Sequence, residues 1–136
     1  MKHLVCTGCM GKAWEYAKYT LPTIKQYSKN IGSDYYEIND TNRRYPNYRP
    51  TYEKYQMEYM LDEYDRIVWI DCDVIVNPKS PNIFDDVPYE KMSALFESPS
   101  YSEDDTLRKH TKNCKKMQDK LGDIGWTTGI FNAAIR

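Results

Sequence analysis

Apolar and polar positions along this chain alternate between two periods, and the switch from one to the other repeats. "HLVC" at 3–6 is a strand-like run, and Gly8 and Gly11 loosen the backbone behind it. "KAWEYAKYT" at 12–20 has helical spacing. Pro22 breaks or restarts that helix, because proline suits a first helical turn. "TIKQYSKN" then carries a second helical piece to Ile31-Gly32, a C-cap pattern. "DYYEIN" at 34–39 alternates with period two. Residues 40–50, rich in proline, asparagine and arginine, are loop by composition. "TYEKYQMEYMLDEY" at 51–64 predicts a helix capped by Thr51, with Met57, Met60, Leu61 and Tyr64 on one face. A strand over 66–70 follows, then a short segment punctuated by Pro78 and Pro81 and ending in "NIFDDVP", then a strand over 91–98.

The last third predicts a long helix over 102–121 and a final strand over 129–135. Ser102 would cap the helix, and Glu103, Asp104 and Asp105 suit the positive end of its dipole. Leu107, His110, Cys114, Met117 and Leu121 form its apolar stripe, Gly122 ends it, and the lysines between lie on the wet face. His110, on that stripe, reads as structural. Strands alternating with helices predict an α/β fold: a mostly parallel sheet flanked by helices. "IVWI" at 67–70 is apolar on both faces, as expected of a central parallel strand.

Length and composition narrow the picture. A chain of 136 residues predicts one domain with a core of its own. With 19 basic and 20 acidic residues, the net charge of −1 gives no footprint for nucleic acid. Mean hydropathy is −0.81, and 13 tyrosines and 3 tryptophans supply bulk with polar tips. No apolar run approaches the roughly 20 residues of a membrane span. The start, "MKHLVC", lacks the long apolar region and small-residue cleavage site of a secretory signal, which predicts a cytoplasmic protein with reduced thiols at Cys6, Cys9, Cys72 and Cys114.

The candidate chemistry lies in "RIVWIDCDVIVNP" at 66–78, where two carboxylates interrupt an apolar run. In an extended chain residues two apart share a face, so Asp71 and Asp73 would point together and Cys72 away into packing. Close carboxylates repel, and burying them bare is costly. A divalent cation with oxygen preference, Mg²⁺ or Mn²⁺, removes the conflict and leaves positions for water or phosphate oxygens. The carboxyl end of a strand is also where open α/β sheets bind ligands.

"LDEYDRIVWIDCDVIVNPKSPNIFDDVP" resembles the D-x-D region of GT-A glycosyltransferases, the glycogenin-like nucleotide-sugar transferases. "YTLPTIKQYSKNIGSDYYEIN" is similar to their first helix and second strand, "RPTYEKYQMEYML" to their helix bearing a donor-proximal lysine, and "GIFNAAI" to their FN-small-small strand. The resemblance covers nearly the whole chain. It implies a GT-A, Rossmann-like fold and a metal-dependent transfer of sugar from a nucleotide-diphosphate donor to an acceptor hydroxyl. By position, it implies that Asp71 contacts the metal and ribose and that Asp73 is the main metal ligand. It implies that Thr7 and its loop hold the nucleotide, that Lys54 lies near the donor, and that Asn132 faces the donor or acceptor sugar. Bland roles exist for the last three: a strand-ending threonine, a solvent lysine, a turn asparagine.

Two departures stand out. Ala134 occupies a position that is usually glycine in the family, and the family's further metal ligand, often a histidine, lies beyond the matched region. His3 and His110 are not at matching positions. The expectation is therefore of the nucleotide-binding two-thirds of such an enzyme, shortened on its C-terminal side. A sheet edge or face left open in this way would be covered by a second copy or a completing partner chain.

Two other functions fit parts of the pattern. One is a non-catalytic nucleotide-sugar-binding domain. The other is a haloacid-dehalogenase-like phosphatase with Asp71 as nucleophile and Asp73 as acid/base. Against the phosphatase, 65 residues precede the motif, and "GIFNAAIR" ends in no acidic pair. "CTGC" at 6–9 is a C-x-x-C between strand and helix, but no Trp or Pro frames it as in a thiol oxidoreductase, and no second cysteine pair completes a zinc site. It reads as small residues in a loop beneath a nucleotide.

Overall fold

The computed structural model describes residues 1–91, 93, 95–97, 116, 119–120, 122 and 130–132. The length set an expectation of one domain; the chain divides into two compact units, Met1–Ser93 with Ala134–Arg136, and Ala94–Ala133.

The first unit is an α/β layer structure. Strands β1 (His3–Gly8), β2 (Asp34–Ile38) and β3 (Arg66–Trp69) form a parallel sheet in the order β2-β1-β3. Leu4, Val5, Cys6 and Thr7 are all buried, as a strand covered on both faces requires. Among the described residues the central strand is therefore β1. The 66–70 run instead ends the sheet among these residues, and Arg66 and Ile67 at its start are only half-buried.

Helix α1 (Trp14–Asn30) joins β1 to β2 and buries Ala17, Leu21, Ile24 and Tyr27 against Val5, Val68 and Ile70. It is one continuous helix, entered through a 3-10 turn at Gly11–Ala13, and not the two pieces expected around Pro22. Pro22 is exposed, so the carbonyl freed four residues earlier can be satisfied by water, while the buried stripe on the opposite side holds the helix together. The predicted C-cap is present: Gly32 takes φ +68°, and the N–H of Ser33 returns to the Ser28 carbonyl at 3.1 Å.

The connection from β2 to β3 covers the opposite face. The expected α-helix over 51–64 is mostly a 3-10 helix, Pro50–Gln56, followed by the single turn α2 (Met57–Met60). Pro50 opens it, with Arg49 as the cap residue in place of Thr51. In a 3-10 helix, residues three apart eclipse. That puts Glu53 and Gln56 on one inward side, where both are buried and the Gln56 amide donates to Glu53 at 2.6 Å. Met57, Met60 and Tyr64 pack on Leu4, Cys6, Met10, Ile38 and Trp69, but Leu61, expected beside them, is exposed.

A one-turn helix, α3 (Ile83–Asp86), is capped by Asn82, whose side chain accepts from the Phe84 N–H at 3.1 Å. In the second unit β4 (Leu95–Glu97) and β5 (Ile130–Asn132) pair antiparallel as a separate two-stranded sheet. The helix expected over 102–121, with His110 and Cys114, lies outside the described residues, except that Lys116, Asp119 and Lys120 are helical and exposed. No helix among the described residues is long and apolar enough to cross a membrane.

Candidate functional site

The β1–β2 connection covers one face of the sheet and the β2–β3 connection the other, so the topological switch point lies between β1 and β3. Ligands of open α/β sheets collect there, past the carboxyl ends of the strands. The last paired residues are Cys6 and Trp69. Two residues further along each strand stand Gly8 and Asp71.

Strand β3 stops at Trp69, so the carboxylates lie beyond the strand and not within it. Asp71 to Val74 form a turn closed by the Val74 N–H on the Asp71 carbonyl at 3.1 Å. This corrects the extended geometry from which a shared face for Asp71 and Asp73 was argued. Cys72 does pack inward as expected, joining the cluster beneath α1, while Asp73 is exposed. Helix α1 stitches this turn down with hydroxyls at helical spacing. Thr20 donates to the Cys72 carbonyl, Thr23 accepts from the Val76 N–H at 3.0 Å, and Tyr27 donates to the Pro81 carbonyl at 2.9 Å. The sequence signal for this role is faint: polar side chains on an inward helical stripe.

Asp71 has two described side-chain partners, both on one oxygen. Its Oδ1 accepts from the Trp69 indole Nε1 at 2.6 Å and from the Lys54 ammonium at 2.8 Å. The Lys54 ammonium also stands 5.4 Å from the centre of the Trp69 ring. Asp71 keeps 32% of its side chain exposed and Lys54 17%, so the pair sits at the rim of the crevice and not in the core. Structure thus brings Lys54 and Asp71 together. Trp69 is a third member that the sequence reading did not single out.

Lys54 is placed by its neighbour. Glu53 is fully buried and accepts from Arg43 Nε at 3.0 Å, the Arg44 N–H at 3.0 Å and the Tyr45 N–H at 3.1 Å. Burial pushes the Glu53 carboxyl up, but the bonds from Gln56, Arg43 and the two backbone N–H groups outweigh it and hold it below its ordinary value. This lock ties the 43–48 loop to the 3-10 helix that carries Lys54.

Thr7 is fully buried, and its Oγ1 has no hydrogen-bond partner among the described residues. Its side chain therefore offers no surface to a ligand in this conformation; behind β1, Cys9 and Met10 are buried as well, and Gly11 and Lys12 are exposed. Asn132 lies in the second unit, opposite Leu95 at the end of β5. The C-x-x-C cysteines fall in different clusters on opposite faces of the sheet: Cys6 packs with Trp69, and Cys9 packs with Cys72. Burial pushes both thiols up to about 12, so neither is an activated thiolate. Cys6, Cys9 and Cys72 are free.

A groove of about 380 Å³ runs beside β3, lined in part by Arg66, Ile67, Phe84, Val87 and Tyr89, with Lys54 at its border. It is mostly apolar; Glu58 and Asp65 line it, and Asp71 and Asp73 do not.

Asp71 holds an ammonium on Oδ1, and Asp73, two residues on in the same turn, is exposed; both are oxygen donors of the kind a hard cation takes. Among the described residues no three His, Cys, Asp or Glu side chains converge on one point. Asp71 and Asp73 would then leave most of a coordination shell to water or phosphate oxygens, which suits Mg²⁺ or Mn²⁺. Compared with family models, curated proteins and solved structures, the chain matches none.

Proposed function

We propose that this chain binds a nucleotide-diphosphate sugar with Mn²⁺ or Mg²⁺ at Asp71 and Asp73 and transfers the sugar to an acceptor hydroxyl, as a GT-A-type glycosyltransferase. The observation that carries this reading is the place of Asp71: past the end of β3 at the β1–β3 switch point, with a cation already on Oδ1. Asp71 and Asp73 would hold the metal, which when bound neutralises the diphosphate as it leaves. Lys54 stands where a second positive charge can meet the same diphosphate, a contact worth about 1.5–3 kcal/mol. In the transfer, the acceptor oxygen bonds to the anomeric carbon as the bond from that carbon to the diphosphate oxygen breaks. The nucleotide contact is assigned to the loop behind β1 and not to the buried Thr7 side chain. Asn132 enters as a sugar contact through the resemblance alone.

The test is donor breakdown. Incubated with a panel of nucleotide-diphosphate sugars and Mn²⁺, the chain should release nucleoside diphosphate from at least one donor. EDTA should stop the release and added Mn²⁺ restore it. A panel that yields no release, with or without sugar acceptors, would overturn catalysis by this chain.

A further inference from the structure

We infer that Trp69 is the positioning residue for Asp71, and that Gly8 is the seat that makes this possible. The inference rests on the reading of Asp71 as a cation ligand and deepens it. Asp71 lies in a turn beyond the strand, one-third exposed, where nothing in the backbone fixes its rotamer. The Trp69 indole supplies what the turn lacks. Its Nε1–H is a donor with no acceptor role, and it meets Oδ1 at 2.6 Å. The indole is 3% exposed, so swinging Asp71 away would strand a buried donor.

The ring is itself tightly packed. It packs with Leu4, Cys6, Met10 and Ile38, and its far edge lies over Gly8. A Cβ at position 8 would stand 2.7 Å from Trp69 Cη2 and 3.1 Å from Cζ2, closer than packed atoms tolerate. Gly8 is therefore the space the indole occupies, and the order of control runs from β1 through the ring to the carboxylate. With Trp69 and Lys54 both on Oδ1, Oδ2 would be the oxygen to take a ligand. A group that holds a metal ligand in place typically affects metal affinity ten- to hundredfold.

The test uses Trp69→Phe, which keeps an aromatic ring but removes the N–H, together with Gly8→Ala and the double variant. Mn²⁺-dependent nucleotide binding should weaken roughly ten- to hundredfold in Trp69→Phe while cooperative unfolding is retained. Gly8→Ala should show a similar loss, because it displaces the ring. The double variant should bind no worse than Trp69→Phe, since the indole atoms that the added methyl would meet are gone. Independently of any ligand, the Trp69 indole resonance, assigned by triple-resonance NMR, should move in Asp71→Asn. An unmoved resonance, or Trp69→Phe binding as tightly as wild type, would make Trp69 a packing residue only and leave the glycosyltransferase reading standing. Absence of metal-dependent nucleotide binding in the wild type would overturn both.

Discussion

Asp71 and Lys54 form an ion pair that neither residue's local sequence dictates. The pair needs a strand end and a 3-10 helix brought side by side across the sheet. Lys54 was singled out only through the resemblance, and Trp69 not at all, because an apolar strand gives no sign that one ring ends in a hydrogen bond to a carboxylate. The inward position of Cys72 was legible from alternation. The extended geometry assumed for Asp71 and Asp73 was wrong, because the Val74 N–H and the Thr20 hydroxyl fold the segment into a turn. At this scale the account predicts a split for Lys54→Met. Without nucleotide, Mn²⁺ should bind at least as tightly, since a competing cation leaves Asp71. With Mn²⁺, the nucleotide should bind roughly tenfold or more weakly, for want of a charge-assisted contact. Electron paramagnetic resonance of free Mn²⁺ and calorimetry of the nucleotide separate the two; equal effects on both would contradict the assignment.

Among the elements, amphipathic period identified α1, but the effect of Pro22 was misjudged because propensity ignores how firmly a buried stripe can hold a helix. The strain remains as a cost. Pro22→Ala should restore the missing helical hydrogen bond and raise stability by about 2 kcal/mol in urea unfolding. The 3-10 helix was illegible for a different reason: its geometry follows from Glu53, whose partners at Arg43, Arg44 and Tyr45 lie in a loop that composition marks only as polar. Glu53→Ala strands those donors and should cost about 3 kcal/mol. The lock also sets a pH dependence. The folded carboxyl titrates below its ordinary 4.5, so the unfolded chain binds more protons in that range. The Glu53 contribution is complete above about pH 4.5 and is lost as pH falls through the folded value. Urea midpoints should drop on acidification below that point in wild type, and less steeply in Glu53→Gln.

For the whole molecule, alternation of strand and helix was enough to give the α/β class and the parallel pairing of β1 with β2 and β3. It did not give the order of strands, since "IVWI" is as apolar as a central strand and yet ends the described sheet. Nor did it give the antiparallel pairing of β4 with β5, because short apolar runs carry no direction. The order that did emerge creates the β1–β3 switch point near which Gly8, Trp69, Asp71 and Lys54 are joined by contact, and the proposed function rests on it. The most direct test is calorimetric titration of UDP, GDP and their sugars into wild type and Asp73→Asn, with and without Mn²⁺. The account predicts binding to the wild type that requires the metal and disappears in Asp73→Asn. A wild type that binds none of these nucleotides under any metal, or an Asp73→Asn variant that binds them equally well, would contradict it.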